Sequence, residues 1–94
     1  MISGRIDFGK YILELRTAKG FSQKKVAEKL GIDISMLSKI EHGERQVQGH
    51  MLKPLAKLFE VDYKNLQIQL LQQKIEEEYG SEPYFFEAIC QIKS

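Results

Sequence analysis

The chain has 94 residues, 43% apolar and 29% charged, with 14 Lys+Arg against 13 Asp+Glu and a single cysteine, Cys90. That length suits one small folded domain. It carries no apolar run near the roughly 20 residues of a bilayer span, no apolar leader in residues 1–5 and no internal disulfide. These features argue against a membrane protein, a stapled secreted module and a two-domain enzyme, and they lead us to expect a reducing, cytoplasmic setting. Apolar residues recur at helical spacing throughout, and hairpin signals are lacking. Phe8, Ile12 and Leu15, continued by Ala18, form a first helical stripe, with Asp7 as its cap and Gly20 at its end. Ser22 caps a short second helix bearing Val26, Ala27 and Leu30 and stopped by Gly31. Asp33 caps a third, with Leu37 and Ile40 inward and Gly43 as its stop. A fourth segment carries Met51, Leu55, Leu58 and Phe59 from about Gln48. Pro54 lies inside it, so this helix either starts late, near Met51, or is bent at its first turns. Asp62 caps a longer fifth helix with Leu66, Leu70, Leu71 and Ile75 on one side and Gly80 at its end. Ser81 is expected to cap a sixth, with Pro83 in its first turn and Phe85, Phe86, Ile89 and Ile92 on a broad face.

Charge is unevenly spread. Residues 1–60 hold 11 basic and 7 acidic side chains, net +4, and residues 61–94 hold 3 and 6, net −3. A basic first part suits an anionic partner such as a phosphate backbone. The strongest local signal lies in residues 23–42. Two short helices meet at Gly31-Ile32, with small Ala27 where they approach and Val26, Leu30, Ile32, Leu37 and Ile40 as the contacts between them. Gly31 can adopt the left-handed conformation that a sharp turn needs. This is the pattern of a helix-turn-helix.

Several segments then carry a family resemblance: Leu15-Arg16, Gly20-Phe21-Ser22-Gln23, the run from Val26 to Ile32, the run from Leu37 to Arg45, and the run from Leu55 to Val61. Over about residues 8–66 the chain resembles the lambda-repressor-like, Cro/repressor-type (XRE-type) helix-turn-helix regulators. The resemblance implies an all-α fold: a compact bundle of about five helices with an additional C-terminal helix. It divides the chain into a DNA-binding domain (1–66) and a helical extension (67–94). It also implies a sequence-specific transcriptional regulator that sets a recognition helix, about 34–42, in the major groove of double-stranded DNA. Ile34, Ser35, Ser38 and Lys39 would meet base edges. Ile34 could meet a thymine methyl or pack on its own domain, and Met36 could be a flexible groove contact or a gap filler. Gln23 would bind a phosphate or bridge to the recognition helix. Lys24 and Lys25 beside it are either phosphate contacts or solvated charges. Arg45, Gln46 and Gln48 would touch the backbone, fixing register and carrying little sequence information. Arg16 and Glu41 would form a partly buried scaffold pair.

Family members commonly bind palindromic operators as two-fold dimers, with half-sites about 34 Å apart. The tail holds more apolar surface than a five-helix core needs, so Leu71, Ile75, Tyr84, Phe85, Phe86 and Ile89 are candidates for a homodimer interface. Glu76-Glu77-Glu78 reads as a solvated face that keeps the tail off DNA. Nothing in the sequence calls for catalysis, a cofactor, a metal or a small-molecule ligand. His42 and His50 have no ligand set around them, and Cys90 reads as a core or interface residue. The alternative function is a protein-interaction module, antitoxin-like, acting through the apolar C-terminal helices.

Overall fold

A computed structural model describes residues 7–92, so the expectation that residues 1–5 hold no leader falls outside the described residues. The described residues form six α-helices and no strand: α1 (Phe8–Lys19), α2 (Gln23–Leu30), α3 (Ile34–Glu41), α4 (Leu52–Phe59), α5 (Tyr63–Tyr79) and α6 (Phe85–Ile92). Local chemistry sets most boundaries. The side chains of Asp7, Ser22, Asp33 and Asp62 accept hydrogen bonds from the backbone N–H groups of Lys10, Lys25, Met36 and Lys64, satisfying donors that a helix start leaves free. Gly20 and Gly31 close α1 and α2 in the left-handed region.

The fourth helix starts late. A 3-10 turn, Gly49–Met51, precedes α4, so Pro54 falls in the first turn, where its missing N–H costs little. The sixth helix also starts later than expected. Ser81 is not its cap, and residues 80–84 form turns closed by Glu82 N–H to Tyr79 O and Phe85 N–H to Glu82 O. Proline disfavours helical geometry in the residue before it, so Glu82 is a poor first helical residue and α6 begins after Pro83.

The core gathers Phe8 and Ile12 from α1, Val26 and Ala27 from α2, Leu37 and Ile40 from α3, Leu52, Leu55, Ala56 and Phe59 from α4, and Leu66 and Leu70 from α5. Phe21 stacks on Phe59 with ring centroids 6.2 Å apart. Ala18 is exposed, because a helix of 3.6 residues per turn carries position 18 off the stripe set by residues 8, 12 and 15. Gly9 is buried, and a Cβ there would lie 2.0 Å from the Ile40 carbonyl oxygen. The backbones of α1 and α3 therefore meet where only glycine fits.

Helix α6 stands apart from this core and none of its residues is buried. Cys90, expected in a core or interface, is exposed. The 66/67 division falls within the continuous helix α5. Among the described residues, no helix is long and apolar enough to cross a membrane.

Candidate nucleic-acid interface

The pair α2–α3 is joined by a turn built on Gly31 at φ 72°, and the Ile32 N–H donates to the Ala27 carbonyl across it. Val26 and Ala27 face Leu37 and Ile40 in the shared core. With Leu37, Ile40 and Glu41 committed inward and Met36 packed against the core, Ile34, Ser35 and Lys39 are the exposed positions of α3. Ser35 and Lys39 are exposed and Ser38 is half-buried. Ile34 is 45% exposed, so the domain's own core does not absorb it. Met36 is half-buried against the core.

One buried charge fixes the base of this helix. Glu41 is 3% exposed, and as a carboxylate it can only accept. Arg16 of α1 donates to it twice, Nε to Oε2 at 2.6 Å and Nη2 to Oε1 at 3.2 Å. The Gln23 amide, at the start of α2, adds Nε2 to Oε1 at 3.1 Å. Arg16 Nη1 also donates to the Phe21 carbonyl at 3.0 Å. Three donors on one buried carboxylate offset its loss of water. Of the two roles open to Gln23, the bridge to α3 is the one the side chain makes.

At the end of α3, the His42 Nδ1–H donates to the Ser38 carbonyl at 2.7 Å, an oxygen that also accepts the His42 backbone N–H at 3.0 Å. The backbone N–H groups of Gly43 and Glu44 turn back to Ile40 and Lys39. Arg45, Gln46 and Gln48 follow, all exposed, while Val47 between them is buried. Together with Met36 and Met51, these three line a small depression of about 130 Å³ beside the first turn of α3. Met36 thus forms one wall of this depression as well as packing on the core. Lys24 is exposed, and Lys25 sets its ammonium 4.1 Å from the Phe21 ring centroid.

The tail residues fall into two groups. Ile75, Tyr84, Phe85 and Ile89 line an open apolar groove of about 540 Å³ between the end of α5 and α6. Leu71 and Phe86 lie outside it and are also exposed. Two side chains had no sequence signal. Gln73 Oε1 accepts the Phe8 N–H at the start of α1, and Glu77 accepts from both Gln73 and Gln46. A contact spanning 31 residues, such as Gln46 to Glu77, follows no local rule of spacing.

The helix-turn-helix family model matches residues 12–66. The chain belongs to the XRE-type helix-turn-helix family. It is a DNA-binding transcription regulator. Among solved structures, the regulator is similar to the restriction-modification controller protein C.AhdI from Aeromonas hydrophila. The two are 36% identical with a TM-score of 0.57, and the match covers 65% of this chain and 88% of that one. No curated protein matches the regulator.

Proposed function

We propose that the regulator binds a palindromic operator as a homodimer, each protomer setting α3 in the major groove. The observation that carries this reading is the division of α3 into a face fixed in the core and an outward face of Ile34, Ser35, Ser38 and Lys39. Hydroxyls and an ammonium can bond base edges, and Ile34 can cover a thymine methyl. Arg45, Gln46 and Gln48 lie just beyond α3, where backbone contacts would fix register. Lys24, exposed at the start of α2, adds a second backbone contact, while Gln23 braces the helix pair through Glu41.

The tail supports the two-fold assembly. Tyr84, Phe86 and Ile92 are 73%, 73% and 79% exposed, an apolar surface that water alone covers poorly. Leu71, Ile75, Tyr84, Phe85, Phe86 and Ile89 would meet their counterparts across a two-fold axis. The likeness to C.AhdI supports a search for the operator near restriction-modification genes. Selection of bound duplexes from a random pool, with sedimentation of the free protein, tests both parts. An inverted repeat with half-sites about 34 Å apart and a dimeric mass are expected. Failure to enrich any duplex overturns the DNA reading. A monomer that captures a heterologous protein through the tail favours the antitoxin-like alternative.

A further inference from the structure

A chain of polar contacts crosses from the tail to the edge of the recognition helix. The Phe8 N–H, at the start of α1, donates to Gln73 Oε1. Gln73 Nε2 donates in turn to Glu77 Oε2 at 3.1 Å. The other oxygen, Glu77 Oε1, accepts from Gln46 Nε2. Gln46 lies between Arg45 and Gln48, and its neighbours at 43–45 are tied by backbone hydrogen bonds to the last turn of α3. Glu77 lies on α5, beyond residues 12–66 of the family module.

We propose that Glu77 is a positioning residue for DNA binding. It holds Gln46 and sets the loop that follows α3 before DNA arrives. The carboxylate suits this task because it accepts from two amides at once, joining α5 to the loop while α5 is itself tied to the start of α1. Gln46 then serves as the tether, and Arg45 and Gln48 on either side are presented in a set register. A loop ordered in advance does not spend binding free energy on ordering at the interface. The acidic tail helix thereby shapes the DNA-facing edge instead of only standing clear of it. The inference rests on the DNA-binding reading of the loop.

Two variants of the full chain separate the hold from the charge. Glu77→Ala and Glu77→Gln both remove one negative charge, but only the glutamine keeps an oxygen that can accept from Gln46. Binding to a fluorescein-labelled mixed-sequence duplex is measured by anisotropy at one low salt concentration. In parallel, the Gln46 side-chain amide and the 44–48 backbone amides are followed by NMR in the free protein. E77A is expected to bind about three- to tenfold more weakly than E77Q, the effect of ordering about one side chain on binding. E77Q keeps only one of the two acceptor oxygens, so loop protection should fall further in E77A than in E77Q. Equal affinities of E77A and E77Q overturn this proposal alone. An unmodified chain that ignores the duplex overturns the DNA reading and this proposal with it.

Discussion

Replacing Arg16 by Met removes the main partner of a carboxylate that has no other route to water. The Glu41 side chain is 0% exposed and that of Arg16 14%, and the substitution deletes both guanidinium contacts to the carboxylate, at 2.6 and 3.2 Å. It also deletes the donor to the Phe21 carbonyl. Only the Gln23 amide, at 3.1 Å, would still face the charge among the contacts described. Stranding one member of a buried pair costs about 3–5 kcal/mol. A domain of this size has only about 5–15 kcal/mol in total. At about 4 °C or more per kcal/mol, Tm should fall by at least about 12 °C. The Lys19–Glu60 pair offers an internal contrast. Its N···O distance is 3.1 Å, but the side chains are 36% and 79% exposed, and breaking it should cost under about 1 kcal/mol. Urea unfolding of Arg16→Met, Glu41→Leu and the double variant measures the coupling. The double variant removes the stranded charge, so it should cost about 1–3 kcal/mol less than the two singles added together. Additive singles, or an Arg16→Met cost no larger than that of the surface pair, would refute the idea that burial makes this contact matter.

Gly9→Ala should destabilise by about 1–3 kcal/mol, seen as a lower urea midpoint, because the new methyl meets a backbone oxygen that cannot swing aside. Lys39→Ala should cost about 1–3 kcal/mol of operator binding and relax preference at one position if the ammonium reads a base. Uniform weakening across all duplexes would mean that it touches phosphate alone. Arg45→Ala should reduce the salt dependence of binding by about one counterion per half-site, measured as the slope of log K against log salt. Phe86→Asp, at a position 73% exposed, should leave Tm of the bundle nearly unchanged and shift sedimentation towards monomer. An unaltered dimer would remove Phe86 from the interface.

Short-range chemistry made much of this fold readable. A side-chain oxygen three residues before an amide, as at Asp7, Ser22 and Asp33, is a local geometric fact that the sequence carries openly. Spacing alone found Leu37 and Ile40. The start of α6 differs from the sequence expectation because Ser81 can cap a helix or enter a turn, and the restriction that Pro83 puts on Glu82 decides between them. Val47 escaped notice as one apolar residue in a polar stretch, with no period around it, yet it is 3% exposed. The role of Gln23 could not be chosen until Glu41 was seen to be buried, since only then does a third donor become necessary. Of the candidate interface, the outward face of α3 was legible from periodicity. The tie from Gln46 to Glu77 was not, because tertiary packing alone brings them together.

The division of labour within α3 has an evolutionary corollary. Leu37, Ile40 and Glu41 maintain the architecture, whereas Ile34, Ser35 and Lys39 contribute little to it. Exposed positions of this kind tolerate exchange within about 0.5 kcal/mol. On the proposed reading of this face, a new target preference would arise by swapping a few letters on one rod, with the surrounding frame left untouched.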